Sequence, residues 1–198
     1  PNGVVLNRSS LCALKSAALS HNLYLIADSV YDRLVYDAPV PTLVGDSSLR
    51  DRLIYVSALS KSYAMTGVRV GYAAADRHVM EQMLKAHSFL VVSVPGCIQR
   101  GCEGIFTEDI SPMLSAYKRR RDYVYTRLKA MGMDVELPGG AFYIYPSIAQ
   151  YGINDELFCE RLMREGGLAL IPSSCFGGKD HVRISYCYDD EVLREGMD

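Results

Sequence analysis

Short runs of consecutive apolar residues alternate with stretches of helical period along the first half of the sequence. No other feature restricts the fold as much. Leu23-Tyr24-Leu25-Ile26-Ala27, Leu53-Ile54-Tyr55-Val56 and Val68 to Ala75 have strand length and little polar alternation, the pattern of strands covered on both faces in a parallel sheet. Between and beyond them, Ser9 to Ser20 carries Leu11, Leu14, Ala17 and Leu19 on one stripe, with Ser9 or Ser10 as the expected N-cap, and 78–88 and 96–105 also read as helices. Strands alternating with helices predict an α/β sandwich, here part of a three-layer α/β/α domain.

The character changes after Ser111-Pro112. Residues 113–131 form one long helical pattern with proline at its start and Gly132 as its stop. Beyond it the sequence is richer in strands. Ala141-Phe142-Tyr143-Ile144-Tyr145, Leu168 to Ile171 and His181 to Cys187 read as strands, and 155–165 as a helix with Asn154 as cap and Gly166-Gly167 as stop. The expected organisation is therefore a partial large domain over 1–111, a connecting helix over 112–131 and a small, truncated α+β domain over 132–198. Both ends read as cut: Pro1-Asn2-Gly3 is a turn with no element before it, and the helix starting at Glu191 stops after about two turns, short for a helix.

A net charge of −2 supplies no field that draws the chain to nucleic acid. Lys118-Arg119-Arg120-Arg121 is the single basic run and reads as a solvated helix face. No apolar stretch reaches bilayer length. The six cysteines form no C-x-x-C pair and the four histidines are scattered, a pattern that predicts neither a zinc site nor a disulfide framework. The cysteines read as reduced thiols of a cytosolic protein, mostly packed as small hydrophobes.

One stretch carries chemistry. Ser-Ala-Leu-Ser-Lys-Ser-Tyr-Ala-Met-Thr-Gly-Val-Arg-Val-Gly-Tyr (57–72) sets Lys61 just past a predicted strand and Arg69 eight residues on. Asp28 closes the first apolar run, and Tyr31 follows three residues later. Ligands of open α/β sheets gather at the carboxyl ends of strands. A primary amine, a carboxylate, a phenol and a guanidinium delivered there are what a pyridoxal phosphate (PLP) site needs. Each residue also has a structural alternative: a loop lysine, a turn or capping aspartate, a half-buried core tyrosine, an edge-strand ion pair for Arg69.

The 57–72 stretch, with Asp28 and Tyr31 at their spacing, closely resembles the lysine signature of class I/II aminotransferases of fold-type I, the aspartate/aromatic aminotransferase-like group. The resemblance spans essentially the whole chain and corresponds to the C-terminal half of such an enzyme. It implies the PLP-transferase type I fold, pyridoxal 5'-phosphate as cofactor, no metal, amino-acid and 2-oxo-acid substrates, no nucleic-acid or membrane partner, and a homodimer. By the same resemblance Lys61 is the Schiff-base lysine and proton carrier, Asp28 pairs with the ring nitrogen, Tyr31 meets the ring oxygen and Arg69 grips the phosphate.

The match has departures. The usual Asp-Glu pair reads Asp28-Ser29, and the serine often found three residues before the lysine is Ala58, so Ser57 either substitutes as the phosphate contact or that contact is missing. Arg183, in His-Val-Arg-Ile-Ser-Tyr, stands where the family holds the substrate α-carboxylate; the alternative is an ion pair to Asp189 or Glu191. Dicarboxylate-specific relatives place an arginine some thirty residues after the lysine, where this chain reads Leu90-Val91-Val92-Ser93-Val94-Pro95, so that route is not expected. The resemblance implies amino-group transfer. Two other readings stay open: a PLP-dependent C–S lyase or cyclopropane-carboxylate-synthase-like enzyme, and a non-catalytic fragment that retains only the fold.

Overall fold

The computed structural model describes residues 2–37 and 40–198. They gather into two compact units, one of residues 6–34 and 40–110, the other of residues 2–5, 35–37 and 111–198. Pro1 of the expected N-terminal turn lies outside the described residues.

The first unit is built on a three-stranded sheet. Strands β1 (Leu25–Asp28) and β2 (Leu53–Ala58) are parallel, with Leu25 opposite Leu53 and Asp28 opposite Val56. Strand β3 (Gly71–Ala74) runs antiparallel to β2, with Ala58 opposite Gly71. Helix α1 (Arg8–Ser20) precedes the sheet. Its cap is Asn7, whose Oδ1 accepts the Ser10 N–H at 2.9 Å, so the capping residue lies before the two serines named from the sequence. A cap receives its bond from an N–H two or three residues on, and Ser10 supplies that donor. Helix α2 (Leu59–Ser62) is one turn directly after β2. Helix α3 (Arg77–Leu90), capped by Asp76, and the short α4 (Gly96–Gly101) complete the unit.

Two strand expectations are corrected here. β1 is not covered on both faces: its side chains alternate between half-buried and exposed, and Ile26 is 71% exposed. Only β2 pairs with it among the described residues. The third apolar run does not stay extended either. Thr66–Val68 form a 3-10 turn and Arg69 takes left-handed angles (φ 59°, ψ 47°), so Arg69 precedes β3 rather than lying inside a strand.

The second unit packs helix α5 (Ser111–Ala130), helix α6 (Asp155–Gly166) and helix α7 (Asp190–Met197) with a small antiparallel sheet. That sheet has the order β4 (Tyr143–Ile144), β6 (Val182–Ser185), β5 (Ile171–Pro172). The ends of α6 follow its sequence signals: Asn154 Oδ1 accepts the Leu157 N–H at 2.7 Å and Gly167 is left-handed at the C-cap. Val124 and Leu128 of α5 bury with Ile144, Ile148, Val182, Tyr186 and Leu193, each aliphatic side chain contributing about 1.5–3 kcal/mol on leaving water.

The basic run of α5 is not wholly a solvated face. Successive helical residues turn by about 100°, so four in a row cannot all face water. Arg121 points inward and is 2% exposed. Its guanidinium donates to Asp37 (2.8 Å), Asp122 (2.8 Å) and the Pro138 carbonyl (2.9 Å), and lies 4.7 Å from the Tyr36 ring centroid. Residues 2–5 join this unit through Gly3, whose carbonyl accepts the N–H groups of Gly139 (3.0 Å) and Gly140 (3.1 Å). Cysteine packing is also corrected. All six thiols are free as expected, but only Cys159 is buried, Cys102 is intermediate, and Cys12, Cys97, Cys175 and Cys187 are exposed.

Candidate active site

The parallel pair β1 and β2 ends at the same edge of its sheet, and antiparallel β3 begins there. Topology alone therefore gathers Asp28 (last residue of β1), Ser57 (in β2), Lys61 (in α2, three residues past β2) and Arg69 (two residues before β3). Local hydrogen bonds fix this edge. The Ser29 N–H donates to the Val56 carbonyl at 2.8 Å, which extends the β1–β2 pairing by a residue, and the Leu59 N–H donates to the Val70 carbonyl at 3.1 Å on the β3 side. The Ser62 hydroxyl donates to the Val30 carbonyl at 3.2 Å and ties α2 to the turn after β1. That turn closes through Asp32 N–H to Ser29 O (3.1 Å) and Leu34 N–H to Tyr31 O (2.9 Å), which places half-buried Tyr31 beside the same edge.

The four polar groups differ in their surroundings. Lys61 is half-buried, whereas Asp28 and Arg69 are exposed. Although Asp28 closes an apolar run, it is not buried: its Oδ1 accepts the Val30 N–H at 3.2 Å and the carboxylate faces water. Arg69 donates from Nη1 to the Thr66 carbonyl at 3.0 Å, and its left-handed backbone turns it away from the line of β3. Ser57 is 3% exposed and its hydroxyl donates to the Ser29 carbonyl at 3.2 Å, a bond it would have to exchange to reach a phosphate.

The donor set fits PLP. An acidic group for a protonated ring nitrogen, an amine for the aldehyde and a cationic fork for the phosphate stand at one end of one sheet, and neither Asp28 nor Arg69 is spent in an ion pair with another described residue.

The sequence reading missed an aromatic cluster beside this edge. Tyr55 donates to Asp32 Oδ2 at 2.8 Å, and burial, then Asp32, raises its phenol above the ordinary value. Its ring lies 6.2 Å from that of Tyr72, a diagonal cross-strand pair. Phe106 meets Tyr72 edge-on at 5.7 Å and Tyr63 at 6.0 Å, and the Arg33 guanidinium covers the Tyr63 ring at 5.4 Å. Tyr63, directly after α2, is thereby braced two residues from Lys61. The strand alternation of Tyr55 and Ser57 was a signal for this pair, but the place of Phe106 was not.

Arg183 belongs to the other unit, in the central strand β6, and is half-buried. The ion pair to Asp189 or Glu191 is not made: Asp189 caps α7 by accepting the Val192 N–H at 3.0 Å. The Arg183 guanidinium makes no hydrogen bond or ion pair among the described residues. It lies 4.4 Å from the Tyr143 ring centroid and 4.6 Å from that of Phe176. Among the described residues no cluster of His, Cys, Asp or Glu could hold a metal ion, and no helix is long and apolar enough to cross a membrane.

Comparison with known proteins gives a consistent result. The family described as Aminotransferase class I and II matches residues 1–198. The chain is 36% identical, over its whole length, to 51% of a probable N-acetyl-LL-diaminopimelate aminotransferase of Bacillus subtilis. Among solved structures, the aspartate aminotransferase of Thermotoga maritima superposes with a TM-score of 0.94 at 36% identity, covering 100% of this chain and 52% of that one. The aromatic aminotransferase of Pyrococcus horikoshii superposes with a TM-score of 0.95 at 33% identity, covering 98% and 54%. The chain spans about half the length of these relatives.

Proposed function

Because the chain belongs to the class I and II aminotransferase family, we propose that the whole protein transfers an amino group from an amino acid to a 2-oxo acid with pyridoxal 5'-phosphate. This chain is taken as the C-terminal half of a cytoplasmic homodimeric enzyme, with 1–111 in the large domain, 112–131 connecting, and 132–198 in the small domain. The observation that carries the reading is the convergence of Asp28, Lys61 and Arg69 on one end of one sheet.

When bound, the cofactor supplies an electron sink for the charge left on the substrate α-carbon. The chain's own residues do the rest. Lys61 would offer its Nζ as the covalent anchor, and the same amine would move the proton to and from the substrate α-carbon, a role suited to a half-buried amine on a one-turn helix. Asp28 would pair its carboxylate with the ring-nitrogen proton. Tyr31 would donate from its phenol to the ring oxygen, and Arg69 would take the phosphate through its fork, with Ser57 as a further phosphate contact. Arg183 receives the substrate α-carboxylate.

The relatives are named for aspartate, aromatic amino acids and N-acetyl-LL-diaminopimelate. The donor is therefore sought with a panel of amino and 2-oxo acids on the full-length protein. Lys61→Ala should abolish transamination and remove the visible absorbance of the lysine-bound cofactor, and Lys61→Arg should do the same because a guanidinium is no nucleophile at neutral pH. Turnover unchanged in Lys61→Ala would exclude this mechanism.

A further inference from the structure

Three half-buried or buried arginines of the second unit besides Arg183 are already spent. Arg120 pairs with Asp190 at 2.6 Å, Arg121 has two carboxylates and a carbonyl, and Arg127 holds the Met197 carbonyl and Asp198. Arg183 differs. It is half-buried, it has no hydrogen bond or ion pair among the described residues, and two aromatic rings bracket it. Partly desolvating a cation without an acceptor is unfavourable, so its surroundings need a second purpose.

The brackets come from both sides of the strand. β6 is the central strand of its sheet. Tyr143 lies on β4, opposite Ser185 and so diagonal to Arg183 on the same face. Phe176 closes the 3-10 turn that follows β5, the strand whose Ile171 is opposite Arg183. Each ring is delivered by an anchored turn. Before Tyr143, Ala141 is held at φ +59° while its carbonyl accepts from the Tyr36 hydroxyl and, at 3.2 Å, from the Tyr186 hydroxyl. Before Phe176, the Ser174 N–H donates to buried Asp155 at 2.7 Å, and Gly177 turns the chain at φ +72°.

A guanidinium has π-faces that attract aromatic rings and an edge that carries all five N–H donors. Rings on its faces leave the edge as the place where it can bond, and a carboxylate is the planar acceptor that matches that edge with two parallel hydrogen bonds. We infer that Tyr143 and Phe176 are positioning residues that hold the Arg183 guanidinium between their rings, edge outward, to receive the α-carboxylate of an amino or 2-oxo acid. The inference rests on the aminotransferase reading for the identity of the carboxylate and on this unit alone for the geometry.

The test uses the full-length protein in two arms. In the first, the side-chain Nε–Hε resonances of 15N-labelled arginine are recorded, and Arg183 is identified by its loss in Arg183→Lys. Ring currents should displace that resonance upfield. Phe176→Leu and Tyr143→Leu should each return it toward the position of a free arginine, while Phe176→Tyr and Tyr143→Phe, which keep the rings, should not. In the second arm 3-phenylpropionate, a carboxylate without a reactive amine, is titrated calorimetrically. Arg183→Lys should weaken its binding, each leucine variant should weaken it roughly twofold to tenfold, and Phe176→Leu should cost nothing further in the Arg183→Lys background. Leucine variants that leave both the resonance and the affinity unchanged overturn the clamp. A displaced resonance with 3-phenylpropionate affinity equal in the parent and Arg183→Lys keeps the geometry and removes the carboxylate role, and with it the reading of Arg183 as substrate anchor.

Discussion

Replacing Arg121 with methionine, a side chain of similar length without charge, should destabilise the protein by about 1–3 kcal/mol. The magnitude follows from what surrounds it. The Pro138 carbonyl loses the 2.9 Å donor from Arg121, and a buried carbonyl without a partner costs about 1–3 kcal/mol. The contact over the Tyr36 ring at 4.7 Å is worth about 1 kcal/mol more. Asp37 and Asp122 add little, because their side chains are half exposed and rehydrate when the guanidinium leaves. Relief of the arginine's own desolvation offsets part of the sum. For a chain of this size such a loss lowers the melting temperature by roughly 3–10 °C. Thermal unfolding followed by circular dichroism measures it, with Arg119→Met as the control, since Arg119 is 64% exposed and holds only Asp190. A melting temperature within a degree or two of the parent for Arg121→Met would mean that the buried cation contributes no net stability, and the account of Pro138 and Tyr36 would fail.

Two further perturbations test the same unit. Gly3→Ala places a Cβ 2.6 Å from Pro138 Cβ and 2.8 Å from the Gly140 carbonyl at φ +70°, so it should cost more than Gly45→Ala, which has φ +89° but open space around it; the left-handed term alone is about 1–2 kcal/mol, and equal melting temperatures for the two variants would remove the steric argument. Asp155 is buried, and the Ser174 N–H that it accepts holds its carboxyl below the usual range, so its ionised form contributes stability that is complete above about pH 4 and is lost as pH falls through the lower folded value. Urea unfolding of parent and Asp155→Asn at pH 7, 5 and 3 should therefore show a gap that narrows toward pH 3, and a gap independent of pH would exclude the charge as its source.

Where a signal is local, the sequence carries it. Asn154 and Gly167 bound α6 because capping and left-handed termination involve residues only a few positions apart. Asp28 and Lys61 were legible at strand ends, because strand ends show as the limits of apolar runs, whereas Arg69 stood inside such a run and drew its role from the resemblance. Arg69 shows where such reading stops: Val68 and Val70 look extended, yet the backbone between them is left-handed, a choice made by the 3-10 turn before it and the start of β3 after it. The inward turn of Arg121 was hidden for a different reason. Its acceptors Asp37 and Pro138 come from distant segments, and nothing in Lys-Arg-Arg-Arg marks which of the four side chains they will claim. The bracket around Arg183 is of the same kind, since Tyr143 and Phe176 meet it only after three strands have paired.

The carbonyl of Gly3 and its two donors, Gly139 and Gly140, also set an order of events during synthesis. A ribosome adds about 5–20 residues per second, so Gly3 emerges on the order of ten seconds before the N–H groups that will bind it, and Val35 likewise precedes Gly140, its bridging partner. The sheet of β1, β2 and β3 can pair in that interval from residues already made. Residues 2–5 cannot, and stay available to chaperones, or to wrong partners, until the turn at 138–140 has left the tunnel. Among the hydrogen bonds described here, those of Gly3 leave the earlier-made partner waiting longest for the later one.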